Sequence, residues 1–169
     1  GFSHIAFDPI ASFELNDSKV TQVFPDGSQE EYILADKKLA VQALKAFADQ
    51  FAFQSQAGDS PMANGLFGHI SYDAVQYFED IQIQSKNSET EIPSIKYLVY
   101  KYVIAINHFN NQMTCYAHSY DGSEPNLDLV NQLLNSPQYA VEPFSMVGKE
   151  KTNLTDDQIR VIVNTCIKH

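Results

Sequence analysis

The longest apolar and β-branched run in the chain is Ile95–Phe109, with the sequence IKYLVYKYVIAINHF. β-Branched and aromatic residues at this density favour an extended strand. A second such run, Met113–Tyr120, mirrors the first across Asn110-Asn111. Because asparagine tolerates positive φ, the two runs predict a hairpin of long strands. We expect this hairpin to lie at the centre of a sheet.

The N-terminal part of the chain alternates apolar and polar residues, which is typical of half-exposed strands. An interruption at Asp8-Pro9 predicts two strands here rather than one, because proline cannot donate to a strand ladder. A second pair of strands is predicted around the turn sequence Pro25-Asp26-Gly27-Ser28. The four predicted strands are Ser3–Phe7, Ile10–Leu15, Lys19–Phe24 and Gln29–Leu34.

Three segments have helical periodicity. Asp36 is a predicted N-cap for a helix that runs to about Phe51, Pro125 opens a second helix, and Thr155 caps a third. Strands with isolated helices predict the α+β class, antiparallel β-sheets packed with a few helices. The third helix should turn Ile159, Ile162, Val163 and Cys166 inward, and irregular segments are expected at 54–64, 82–91 and 136–151.

Composition and charge already exclude some classes of function. The chain has 169 residues, 44% of them hydrophobic, and a formal charge of -10. This acidic balance argues against nucleic acid and anionic membrane as partners, because both reward clustered Lys and Arg. Cys115 and Cys166 are too few for a disulfide framework, which favours a cytoplasmic protein. The chain opens on Gly1 without a methionine, which favours a piece of a longer protein.

The segment Gly65–Glu79, GLFGHISYDAVQYFE, changes period in its middle. Residues 66–71 predict a short strand, and its internal glycine indicates a bulge or the close approach of another backbone. From Ser71 the pattern becomes helical, with Ala74, Val75 and Phe78 on one face. The residue types form no known nucleophile, metal or phosphate motif, so the residues by themselves indicate structure and no chemistry.

The same segment resembles the signature Gly-Tyr-Ile-Ser-Tyr-Asp-x-x-Arg-Tyr-Phe-Glu of the N-terminal domain of anthranilate synthase component I, a chorismate-using enzyme. His69 stands where that family usually has tyrosine, and Gln76 where it usually has arginine. The ending Tyr77-Phe78-Glu79 favours the anthranilate branch over aminodeoxychorismate synthase component I. Three further segments are similar to the family in the right order: Phe2–Pro9, Ile106–Asn111 and the helix entry at Asn153–Thr155.

The resemblance implies a domain division and an activity. Residues 1–150 would be an N-terminal regulatory and scaffold domain, and 151–169 the start of the chorismate-binding catalytic domain. The whole enzyme would convert chorismate and glutamine-derived ammonia to anthranilate and pyruvate in tryptophan biosynthesis. It would use magnesium and a glutamine amidotransferase subunit, and tryptophan would inhibit it. Alternatives are the same domain of aminodeoxychorismate or isochorismate synthase, and a stand-alone small-molecule binding module.

Site expectations for this chain are sparse. We predict no catalytic residue, no metal ligand and no cofactor within it, and we expect the chain alone to be inactive. The resemblance leaves Ser3 as one residue of an incomplete inhibitor pocket. We interpret His69, His108 and His118 as structural, and the carboxylates of Asp73, Glu79 and Asp80 as solvated rather than magnesium-binding. The edge near Ser3–Phe7 and the apolar face of the last helix predict a homodimer or higher self-association.

Overall fold

The structure is a computed structural model that describes residues 1–52, 63–83, 92–120, 122–136, 143, 145, 147, 148 and 152–168. Most of the three predicted irregular segments lies outside these residues. The chain divides into two compact units, Gly1–Asn131 and Gln132–His169. The predicted boundary at residue 150 stays a prediction.

One antiparallel sheet organises the first unit. The strands are β1 (Phe2–Asn16), β2 (Lys19–Val23), β3 (Gln29–Ile33), β4 (Phe67–Ile70), β5 (Ile95–Asn107) and β6 (Gln112–Ala117). They pair in the order β3-β2-β1-β5-β4, and β6 also pairs with β5. The predicted hairpin is confirmed: β5 and β6 pair from Tyr102–Ala117 to Asn107–Gln112, and Asn111 has a φ of 55° in the connecting turn. With its helices, the chain has the predicted α+β fold.

The two strands predicted before residue 16 are one strand, β1, so the predicted break at Asp8-Pro9 was wrong. The register with β5 shifts there, with Pro9 opposite Tyr100 and Ala11 opposite Val99. Two residues of β1 thus advance for one of β5, which is a β-bulge. Asp8 takes a φ of 60° beside it. The bulge accommodates the proline without ending the strand, because the hydrogen-bonded pairing with β5 continues after it.

β1 has different neighbours along its two halves. β5 pairs with it from Phe2 to Leu15, whereas β2 pairs with it only from Ser12 to Asn16. The other edge of Phe2–Ala11 therefore has no strand partner within the described part of the chain. Phe2 and Ile5 are each 52% exposed on this half-paired segment.

β5 is the centre of the sheet. One edge carries β1 along its whole length, and the other carries β4 and then β6. Side chains alternate along a strand, so odd and even residues of β5 serve opposite faces. The sheet has two hydrophobic cores, and Ile95 and Val99 are buried in the larger one. Tyr102 and Ile104 are buried in the second core. Phe7 packs against this second core, and its ring stacks on that of Tyr102 with the ring centroids 5.0 Å apart.

The first helix covers the larger core. A 3-10 turn, Lys37–Leu39, precedes α1 (Ala40–Asp49), and Asp36 accepts the backbone N–H of Lys38 at 2.9 Å, as its predicted capping role requires. Phe47 is fully buried, with its ring 5.7 Å from that of Phe13. This aromatic contact fixes α1 on β1.

The other two helices bury less than their apolar patterns predict. α2 (Leu127–Asn135) buries Val130 against Tyr102 and Ile104, but Leu127, Leu133 and Leu134 are exposed. α3 (Asp156–Lys168) has no buried residue. The predicted inward face of α3 was wrong in this respect: Ile159, Ile162, Val163 and Cys166 are all exposed. No helix in the described ranges has the length and apolarity needed to cross a membrane.

Candidate functional site

Ser3, the predicted inhibitor contact, lies on the half-paired segment of β1 opposite Ile106. Its Oγ is 2.7 Å from Nε2 of His108, which stands 105 residues later in the chain. The backbone N–H of His108 donates to the carbonyl of Gly1 at 3.0 Å, so β1 and the turn after β5 fix the pair together. Both side chains are exposed. The pair offers a hydroxyl and an imidazole to a polar ligand group, and no described contact gives His108 the carboxylate partner of a catalytic triad.

The signature segment begins with β4, where Gly68 lies opposite Tyr97 of β5. A Cβ at position 68 would fall on the backbone carbonyl oxygen of Lys96 and lie 2.7 Å from the Cα of Tyr97. Glycine is thus required by the close approach of β5, which is one of the two reasons predicted from the sequence. The role of this glycine is structural.

The second half of the signature is a 3-10 helix, Tyr72–Tyr77, rather than an α-helical turn. Side chains three residues apart share a face in this helix type. Ala74 and Tyr77 are therefore the buried pair, whereas Phe78, predicted to share a face with Ala74, is 47% exposed. The α-helical period used for the prediction explains this error.

Tyr77 ties three parts of the first unit together. Its hydroxyl donates to the carbonyl oxygen of Asp17, in the turn between β1 and β2, and its oxygen lies 3.3 Å from Ser94 Oγ, just before β5. Burial raises the pKa of the Tyr77 phenol above its ordinary value. A neutral phenol that donates at this junction stabilises the packing of the signature segment against the sheet.

The signature also borders an open cavity of about 470 Å³. Lys37 donates to Gln76 Oε1 at 2.7 Å, and Lys38 pairs with Asp80 at 2.8 Å. The hydrogen bond from Lys38 holds the pKa of Asp80 below its usual value. Sequence reasoning missed both lysines, because Lys37 and Gln76 are 39 residues apart and no local motif joins them.

The described residues contain no group of three His, Cys, Asp or Glu side chains that could hold a metal. Asp80, one of the three carboxylates considered from the sequence, is already bound to Lys38. No step that depends on magnesium is therefore assigned to these residues.

The histidines considered as possible ligands serve separate contacts. His69 Nε2 lies 3.2 Å from the carbonyl oxygen of Pro93, and His118 Nε2 lies 2.7 Å from that of Ala63. Cys115 is half-buried beside the second core, and burial raises the pKa of its thiol. Cys166 is exposed, so its predicted role as a small buried side chain was wrong.

Comparison with known proteins identifies the class. The family model described as chorismate binding enzyme matches residues 2–169. The chain therefore belongs to the chorismate binding enzyme family. Its fold is similar to that in a crystal structure of anthranilate synthase component I from Streptococcus pneumoniae TIGR4, with a TM-score of 0.56 and 16% sequence identity. The similarity covers 79% of this chain and 28% of that one. No curated protein sequence matches the chain.

Proposed function

We propose that the chain is the N-terminal regulatory and scaffold domain, with the beginning of the catalytic domain, of an anthranilate synthase component I. The observation that carries this proposal is the signature Gly68–Glu79, set into the sheet of a chorismate-family chain whose fold resembles that component. In that signature, Gly68 lies too close to a neighbouring backbone for any side chain. Tyr77 is buried and donates a hydrogen bond from its hydroxyl.

The proposed whole enzyme converts chorismate and ammonia to anthranilate and pyruvate. Ammonia comes from a glutamine amidotransferase subunit, and magnesium belongs to the full-length enzyme. In this proposal, the chain acts as a folded scaffold for the catalytic domain and provides part of the regulatory site. The described residues contain no group of three His, Cys, Asp or Glu side chains that could hold a metal, which supports this division of roles.

Regulation by tryptophan belongs to the same proposal. Ser3 and His108 would provide one polar wall of the inhibitor site, because their side chains are hydrogen-bonded and exposed on the half-paired segment of β1. An exposed pair of this kind does not enclose an indole ring. We therefore expect the chain alone to bind tryptophan weakly or not at all, and calorimetry that gave micromolar affinity would contradict this part of the proposal.

A direct experiment compares the chain with the product of the complete gene. Each is incubated with chorismate, ammonium and magnesium, and anthranilate is followed by its fluorescence. We expect anthranilate from the complete product and none above the buffer control from the chain. Aminodeoxychorismate or isochorismate as the product would instead assign the chain to a neighbouring branch of the family. Turnover by the chain alone would overturn the proposed scaffold role.

A further inference from the structure

A second cavity, of about 660 Å³, lies away from the signature segment. It is bounded by the β2–β3 turn, the end of α1 and the residues after β6, all within the first unit. Its volume is in the range of small-molecule pockets, roughly 300–1,000 Å³. Its walls combine the aromatic residues Phe24, Phe51 and Tyr120 with the carboxylates of Asp26 and Glu30.

The aromatic walls are fixed by contacts of their own. The rings of Phe51 and Tyr120 meet edge to face, 5.6 Å apart at 75°. Phe47 lies behind the wall, 5.0 Å from Phe51 and 6.2 Å from Phe24. The Tyr120 hydroxyl donates to Asn64 Oδ1 at 3.4 Å, and the Asn64 amide donates to the carbonyl of Phe51 at 2.6 Å. These rings are thus positioned before any ligand arrives.

The charge of the cavity is negative. Asp26 Oδ1 accepts the backbone N–H of Ser28 at 2.8 Å and its hydroxyl at 2.6 Å. These hydrogen bonds lower the pKa of Asp26, and the bond from the Ser28 hydroxyl has the larger effect. The Asp26 carboxylate is therefore ionised at neutral pH. Among the described residues, no Lys, Arg or His lines this cavity, and no ion pair includes Asp26 or Glu30. Lys101 and His118 line a separate space of only about 70 Å³, which shares Pro25 and Tyr120 with this cavity.

We propose that this cavity binds a small organic cation, an ammonium group carried on an apolar body. Aromatic faces attract a cation through the ring quadrupole, and carboxylates at the rim add charge complementarity. The apolar body gains from the three aromatic walls. Chorismate and other dicarboxylates are repelled by the same carboxylates, so this site is separate from the proposed chorismate chemistry.

The test uses the whole chain labelled with ¹⁵N and benzyltrimethylammonium chloride as the probe. Benzyl alcohol and benzoate are the matched neutral and anionic compounds. We expect saturable shifts of the amide resonances of Asp26, Phe51 and Tyr120 with the cation. Removing the charge should weaken binding about tenfold, the scale of a partly desolvated cation–π contact. Equal affinity for benzyl alcohol would overturn the proposal, because the cavity would then recognise only an aromatic body.

Variants separate the two components of the site. Glu30→Gln removes a wall carboxylate, and Tyr120→Leu removes a ring; each should weaken the binding of the cation several-fold. Glu31→Gln is the matched control, since Glu31 pairs with Lys19 at 2.9 Å and does not line the cavity. If Tyr120→Leu fails to fold, the comparison of Glu30→Gln with Glu31→Gln still decides. Equal losses in these two variants would indicate a general effect of net charge and contradict the site.

Discussion

At the scale of single residues, Gly68 has no room for a side chain. A methyl group there would meet the backbone of Lys96 and Tyr97, which cannot move without breaking the pairing of β4 with β5. We expect Gly68→Ala to lower the free energy of unfolding by at least about 1–3 kcal/mol, the usual cost of overpacking. Urea denaturation measures this loss. Gly1→Ala is the control, because a Cβ there has no neighbour within 4 Å, and it should have no effect.

Tyr77 leads to a prediction about alkaline pH. Its raised pKa means that above pH 10.0, the ordinary value, the unfolded phenol loses its proton while the folded one keeps it. Stability contributed by the neutral phenol is therefore complete below that pH and decreases as the pH rises toward the folded pKa.

Tyr77→Phe removes the donor and leaves the carbonyl of Asp17 without it. We expect a loss of about 1–2 kcal/mol near neutral pH. We also expect a smaller decrease in stability between pH 9 and 11 than in the parent chain, measured by urea denaturation at each pH. Tyr72→Phe is the control, since that side chain is 87% exposed. An identical alkaline profile for the parent and the Tyr77→Phe variant would contradict the assignment.

At the scale of elements, α3 depends on its cap more than α1 does. The N–H of Gln158 donates to Thr155 Oγ1 at 3.3 Å, and the N–H of Thr155 donates to Gln158 Oε1 at 2.8 Å, which is a capping box. α3 buries no side chain, so local interactions carry a large share of its stability.

We expect Thr155→Ala to destabilise α3 by about 1 kcal/mol. Amide hydrogen exchange should then become faster in residues 158–165 and stay unchanged in α1, which is held by the buried Phe47 and serves as an internal control. Unchanged exchange in α3 would show that something other than its cap stabilises it.

The elements also show what a sequence can predict. The hairpin of β5 and β6, the turn at Gly27 and the cap at Thr155 follow from local residue preferences, and each is present. The continuity of β1 through Pro9 was not predictable, because it depends on pairing with a strand about ninety residues later. The pairs Ser3–His108 and Lys37–Gln76 were also not predictable, because their members are far apart in the sequence and meet only in the folded chain. The exposure of α3 depends on what covers the helix, which its own pattern does not encode.

At the scale of the whole molecule, the half-paired segment of β1 supports the expected homodimer. Its residues Phe2–Phe7 carry no Lys, Glu or Asp, whereas the outer strand β3 is protected by Glu30 and Glu31. Charged residues discourage strand addition at an edge, and their absence permits it. A two-fold pairing of β1 with β1 would satisfy both copies at once.

We therefore expect light scattering to give about 38 kDa, twice the 19.0 kDa of the chain. Ile5→Lys should shift the mass toward the monomer, because it places a charge on the exposed face of that segment. Ile33→Lys, on the outer strand β3, is the control and should leave the dimer intact. A 19.0 kDa species at high concentration in the parent chain would rule out this association.

During synthesis on the ribosome, β1 is made well before β5, the strand with which it pairs. β1 ends at Asn16, but its main partner is complete only at Asn107. At roughly 5–20 residues per second, about 5–20 s pass between the two events. During this interval Phe2–Ala11 has emerged without the strand that pairs with it in the folded chain. The nascent chain thus has a period in which this apolar segment is open to chaperones and to neighbouring nascent chains, and the arrival of β5 closes it.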